Sequence, residues 1–292
     1  MSSGDARLRI RLTFDVIPLR FFCRAGREFH LNANLLRGGF GKSLRMYDPL
    51  VYDRLFEPKR PDGPSGLKDL PRPFVFRVEE RLVKSGEVFD FRVHLFGFSE
   101  WIGVIQRAFA RIAEIERVEG GQPMRLSMEP CRNVRSVRIT FLTPTELKAP
   151  DRTVRGRCPD RPCSINSVNS GNQGIAGGPG DAPPTFAVLF GRARDRISTL
   201  RSAYQDGPLD IDFKSMGERA KLIRTTRWDI RRSRAERTSR RTGQTHSLGG
   251  FTGVVEYEGD LGEFLPYLEI ARWTGVGRQT VWGKGEIVCE TF

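Results

Sequence analysis

The sequence predicts an α+β protein built from two tandem ferredoxin-like (RRM-like) β-α-β-β-α-β domains. Segments of strand period and helix period follow one another in this order, and then do so again. A hydrophobic fraction of 38% over 292 residues supplies apolar side chains for two cores of ordinary size. No identity between the halves supports a duplication; the prediction rests on the order of elements alone.

The first half begins with clean alternation over residues 7–16. Leu8, Ile10, Leu12, Phe14 and Val16 share one face and Arg7, Arg9, Arg11, Thr13 and Asp15 the other, as a half-buried strand requires. A helix is expected over 31–46, with Leu36, Phe40 and Leu44 spaced by four. A loop rich in Pro and Gly fills 57–73. Strands follow at 74–82 and 87–96, the second carrying Phe89, Phe91, Val93 and Leu95 on one face. Ser99 can cap a helix over 100–116, striped with Trp101, Ile105, Ala108, Phe109 and Ile112. A strand at 124–130 completes the unit, and the first domain is assigned residues 1–131.

The second domain, 132–292, opens with a strand at 135–142, where Val137, Ile139 and Phe141 face inward. Residues 150–184 are dense in Gly, Asn, Ser and Pro and read as a long loop. A helix over 185–204 is striped with Phe186, Leu189, Phe190, Ala193, Ile197, Leu200 and Tyr204. Strands are expected at 224–232 and 249–258. Asp260 and Glu263 form a capping box for a helix bearing Leu261, Phe264, Leu265 and Leu268, which Pro266 is expected to bend. A strand over 281–290 ends the chain.

Charge narrows the partners. A net charge of +13 favours a polyanion. Residues 219–241 hold ten Arg or Lys against two acids, Asp229 and Glu236. Alternation there turns Trp228 and Ile230 inward and Arg227 and Arg231 outward, and it stops after Arg232, so 233–247 reads as a hairpin projecting from the sheet. The sequence-level assignment of RNA contacts is therefore Arg227, Arg231, Arg232, Arg234, Arg237, Arg240 and Arg241, gripping phosphate and backbone rather than base edges; a merely solvated charge run is the competing interpretation. No apolar run of about 18 residues suggests a membrane span, and the N-terminus carries no secretory core. Cys23, Cys131, Cys158, Cys163 and Cys289 are scattered, with no second Cys or His pair to complete a zinc site, so they read as reduced thiols of a cytoplasmic protein. Neither a metal nor a cofactor is called for.

The sharpest local feature is Gly275-Val276-Gly277-Arg278-Gln279-Thr280-Val281-Trp282-Gly283-Lys284-Gly285, two Gly-x-Gly pairs between the last helix and the last strand. Glycine lets backbone amides approach a phosphate or base; a tight turn with a bulged strand is the alternative. A dinucleotide fingerprint needs its glycines before a helix, not after one. In Gly38-Gly39-Phe40-Gly41-Lys42-Ser43 the first glycine of a P-loop would fall on Leu36. The C-terminal loop resembles the Gly-h-Gly-x5-Gly-h-Gly signature of the CRISPR repeat-cleaving endoribonucleases, a family of the RAMP superfamily, with Lys284 at a place usually hydrophobic. Leu36-Arg37-Gly38-Gly39-Phe40-Gly41, Phe141-Leu142-Thr143-Pro144-Thr145, Gly249-Gly250-Phe251-Thr252-Gly253 and Gly259-Asp260-Leu261 resemble the same family in the same order.

That resemblance implies a metal-independent nuclease that binds CRISPR precursor RNA, drives 2′-hydroxyl attack on the adjacent phosphate, and leaves 2′,3′-cyclic phosphate and 5′-hydroxyl ends on mature guide RNA. It adds Gly275, Gly277, Arg278, Gly283, Lys284 and Gly285 to the RNA-binding set, and a multi-subunit CRISPR effector complex as a partner. Histidine suits the proton transfers. His30 lies just before the first helix, where the family often carries its catalytic histidine, with Lys42 and Arg37 near it in sequence to stabilise the phosphorane. A surface or capping role for His30 stands beside the catalytic one. His246, at the edge of the arginine hairpin, is a second candidate that reads equally as a plain loop residue, and His94 reads as structural. The alternative functions are a catalytically silent RNA-binding RAMP protein and a subunit of a CRISPR interference complex.

Overall fold

The computed structural model describes residues 12–58, 70–147, 182–233, 236–238, 245–247 and 249–292. The first lobe contains β1 (Thr13–Arg24), β2 (Phe29–Leu31), α1 (Ala33–Tyr47), α2 (Pro49–Phe56), β3 (Phe74–Arg77), β4 (Arg81–Val83), β5 (Val88–Leu95), a 3-10 turn at Ser99–Trp101, α3 (Ile102–Ala110), β6 (Glu114–Gly120) and β7 (Met124–Ser127). The second contains β8 (Ser136–Thr145), α4 (Phe186–Tyr204), α5 (Phe213–Ala220), β9 (Arg224–Ser233), β10 (Glu236–Thr238), β11 (Thr245–Ser247), β12 (Gly250–Glu258), α6 (Leu265–Thr274), a 3-10 turn at Thr280–Trp282 and β13 (Ile287–Thr291). The two main sheets run β3-β5-β1-β6 and β13-β8-β12-β9. By position in each half both orders are second, third, first, fourth, the antiparallel ferredoxin-like arrangement, so the tandem fold read from element order is the one observed.

The strand β1 belongs to both cores. Its first half sends Phe14 and Val16 into the core of the second lobe, while Ile17, Leu19, Phe21 and Cys23 enter that of the first. The alternation therefore changes face at Val16–Ile17, next to Pro18. Opposite, β6 pairs with Leu19–Arg24 and β7 with Thr13–Val16, so the fourth strand is interrupted where β1 switches cores. Helix α4 fastens the switched end: Arg201 Nε donates to the Thr13 carbonyl at 3.0 Å, and Gln205 exchanges hydrogen bonds with the Asp15 backbone.

Several element boundaries differ from expectation. The first strand runs on to Arg24 through Pro18. The helix expected over 100–116 ends at Ala110, and Glu114–Gly120 is a strand; Ala, Glu and Arg suit a helix there, but these residues form a largely exposed edge whose ladder with β1 decides the outcome. The 74–82 strand is split, because Arg81–Val83 leaves the sheet to pair with β2. Pro266 sits in the first turn of α6, where its missing N–H costs nothing, so it starts that helix rather than bending it. The Asp260–Glu263 capping box does not form; Glu263 instead receives Arg219 in a two-pronged ion pair at 2.6 Å. Strand β13 begins at Ile287, not 281. Most of the loops at 57–73 and 150–184, with Cys158 and Cys163, lies outside the described residues, as do Arg234, Arg240 and Arg241.

Candidate nucleic-acid interface

The glycine-rich loop is wedged between the lobes. Val276 packs in the core of the second lobe and Val281 in that of the first. Gly275, Gly277, Gly283 and Gly285 all have positive φ, from 68° to 79°, a region that side chains with a Cβ enter only at a cost. Space is as restrictive as torsion. A Cβ on Gly283 would lie 2.6 Å from that of Ala33 at the start of α1, and one on Gly285 would run into the Val276 carbonyl oxygen. Amides of this loop serve the protein's own backbone: Gly275 donates to Ala271 in α6, Gly283 to Thr280 within the loop, and Gly285 to Pro144 in β8. The glycines thus act through shape, setting where α1 and the second sheet meet. Arg278 is held by Glu146, through its amide at 3.1 Å and an ion pair at 3.0 Å.

Register brings the arginine strand to the same end of the sheet as this loop. Ser233 lies opposite Gly250, Phe251 opposite Thr145, and Ile287 opposite Phe141. The ends of β9 and β8 and the starts of β12 and β13 therefore share one edge of the sheet. At about 4.8 Å per strand, β9 leaves that edge roughly 14 Å from the glycine loop. Trp228 and Ile230 turn toward the core, and Arg227, Arg231 and Arg232 are exposed. The pairs Arg237–His246 and Glu236–Ser247 keep the register of β9 and β12 without a shift, so β10 and β11 continue that ladder outward.

Of the histidines, His30 is exposed on β2, opposite Leu82, two residues before the helix cap Asn32, whose side chain accepts from the Leu35 amide at 2.8 Å. Arg37 turns toward the glycine loop, its guanidinium 5.7 Å from the Trp282 ring and 5.6 Å from that of Phe56. Lys42 is exposed, but about 13 Å along α1 from its start and about 140° around from Arg37. Helical geometry thus brings Arg37, and not Lys42, to the loop that α1 abuts. His94 is buried, and its Nδ1 donates to the Trp273 carbonyl at 3.1 Å. Burial pushes its pKa down to about 3, aided by the Arg77 and Arg92 charges.

What sequence reasoning missed is a cavity of about 580 Å³ at the seam. It is lined by the start of α1, the segment between β3 and β4, Arg92 of β5, the end of β8, and Trp282, Gly283 and Lys284 of the glycine loop. Lys284 is only 8% exposed, its Nζ makes no hydrogen bond, and burial holds its pKa below the usual lysine range against the opposing pull of Glu146 and Glu80. Behind the loop, Arg77 is 1% exposed with no hydrogen bond from its guanidinium, its nearest carboxylate being Glu286 at 3.8 Å. Burial lowers its pKa to about 10. No local pattern marks these residues, because five separated segments build the cavity. Among the described residues, no group of three or more His, Cys, Asp or Glu stands ready for a metal ion, and no helix is long and apolar enough to cross a membrane.

Comparison with known proteins gives one family and a shared fold. The family model described as CRISPR-associated endoribonuclease Cas6 matches residues 139–287, and a second model, an N-terminal domain, matches 14–139. No curated protein sequence matches the chain. Among solved structures, a Cas6 product complex superposes with a TM-score of 0.58 at 17% identity, covering 94% of this chain and 99% of that one. Thermus thermophilus Cas6 superposes at 0.55 with 16% identity, covering 96% and 99%. The chain also covers 46% of a larger protein in a partial Cas6-RT-Cas1–Cas2 complex, at 0.58 and 12% identity.

Proposed function

The chain belongs to the CRISPR-associated endoribonuclease Cas6 family, and from that premise we propose that it cuts CRISPR precursor RNA within its repeats by metal-independent transesterification. The 2′-hydroxyl attacks the neighbouring phosphorus, the bond to the leaving 5′-oxygen breaks, and 2′,3′-cyclic phosphate and 5′-hydroxyl ends result. His30 moves a proton, either from the attacking hydroxyl or to the leaving oxygen, work worth roughly 10²–10⁴ in rate. Arg37 offsets charge on the phosphorane, and Arg227, Arg231, Arg232 and the hairpin beyond them hold the backbone.

The observation that carries this reading is the meeting of α1 with the glycine loop. Ala33, three residues after His30, touches Gly283, while the arginine strand leaves the same sheet edge as that loop. A candidate base beside that loop and a candidate phosphate grip roughly 14 Å from it, at the same end of the sheet, support the reading. A partnership with other CRISPR-associated proteins, in which this chain hands on its product or keeps it, belongs to the same reading.

The test is cleavage of the host's own repeat RNA in EDTA, with end-group determination. Cyclic phosphate ends are expected, with a single-turnover rate roughly 10²–10⁴ lower for His30→Ala. Full activity in both His30→Ala and His246→Ala would overturn the catalytic assignment. Tight binding without any cutting would instead make this a silent RNA-binding protein.

A further inference from the structure

The seam cavity has the wrong charge for a phosphate site. In a chain of net charge +13, its lining sets three carboxylates, Glu79, Glu80 and Glu286, against two cations, Arg92 and Lys284. A phosphodiester gains little there, because the carboxylates oppose it at close range. A nucleobase differs, since its edge presents donors and acceptors together. The volume lies within the range of small-ligand sites, and Trp282 and the half-exposed Leu142 provide apolar wall against which a ring can lie.

The lysine narrows the choice of base. Its ammonium is more than nine-tenths buried and has no acceptor, a costly state unless an acceptor arrives. Among the described residues, the ion partner of Glu286 is Arg77, 3.8 Å away, and Glu79 and Glu80 are exposed. The lining therefore asks for one acceptor beside donors that a single carboxylate can take in pairs. Guanine offers O6 next to N1–H and N2–H; adenine and cytosine each bring one amino group beside a ring-nitrogen acceptor, and uracil a single N–H.

We propose that this cavity receives an unpaired guanine of the repeat RNA, with Lys284 donating to O6 and a lining carboxylate accepting from N1–H and N2–H. The proposal rests on the RNA-processing reading above and makes the glycine loop a reader of sequence as well as a spacer. Phosphate contacts elsewhere position the chain; this pocket chooses which nucleotide sits at the seam.

Binding is measured by fluorescence anisotropy in the His30→Ala background, with repeat RNA in which each guanosine in turn becomes 2-aminopurine, lacking O6 and the N1 hydrogen, or inosine, lacking the 2-amino group. At one position 2-aminopurine is expected to weaken binding roughly 10- to 100-fold. Lys284→Met should bind natural RNA more weakly and lose less from the same replacement, because only the N1–H contact then remains to be lost. A folded Lys284→Met whose losses add to those of 2-aminopurine at every guanosine overturns the proposal. If that variant does not fold, Glu79→Gln, Glu80→Gln and Glu286→Gln are cycled against inosine; coupling in one supports the pocket and additivity in all three overturns it. A wild-type chain that fails to cut repeat RNA would remove the cleavage reading while leaving this binding measurement intact.

Discussion

At the scale of single residues, the seam is held by polar groups removed from water, and His94 shows what that costs. Its ring lies against Trp273, with centroids 4.9 Å apart, and Arg77 adds a repelling charge. The folded chain keeps this imidazole neutral down to about pH 3, whereas the unfolded chain protonates it near pH 6.5. Between those values the unfolded state binds the extra proton, so stability is full above pH 6.5 and falls as pH drops, by about 1.4 kcal/mol per unit from this group. Denaturant titrations from pH 7 to pH 4 should show that slope, and His94→Asn, which keeps a donor for the Trp273 carbonyl, should flatten it. An equal slope in both proteins would mean that other groups set the acid sensitivity. His94 was legible as structural from its strand position beside Asp90 and Arg92, but its role in joining the lobes was not, because Trp273 is 179 residues away.

At the scale of elements, glycines in similar sequence contexts do different work. Within α1, a Cβ on Gly38 would meet nothing within 4 Å, while one on Gly41 would press on the Phe56 ring at 2.9 Å. Gly38→Ala should therefore stabilise the protein by about 1 kcal/mol, the helix-propensity difference. Gly285→Ala, strained in φ and blocked by the Val276 carbonyl, should cost more than about 2 kcal/mol and loosen RNA binding with it. Thermal melts of the two variants check both signs. The same contrast explains what sequence could reveal. The stripe of α4 and the alternation of β9 and β12 express a single buried face each, and they were legible nearly to the residue. Strand β6 hides no face completely, so its Glu- and Arg-rich segment read as helix. The glycine loop was legible as special; that its glycines make room for α1 and for the loop's own carbonyls requires the partners in place.

At the scale of the whole molecule, a division at residue 131 separates the sheets but cuts one core. Phe14, Val16, Val75 and Phe96 all come from the first lobe and are buried with Phe141, Phe186 and Leu268 of the second. Four large apolar side chains are worth about 6–12 kcal/mol of burial, comparable to the entire stability of an ordinary domain. Residues 132–292 alone are expected to show no cooperative melt by circular dichroism, and the full chain to melt in one transition; a sharp transition from the isolated piece would contradict this. Between the lobes, the gap is fixed where Gly283 faces the methyl of Ala33. One added carbon at either position is expected to act as a shim that moves the start of α1, and His30 before it, away from the glycine loop. On the proposed function, the gauge of RNA accepted at the seam is adjustable by a single atom, and a graded series from Ala33 through larger aliphatic residues would calibrate it.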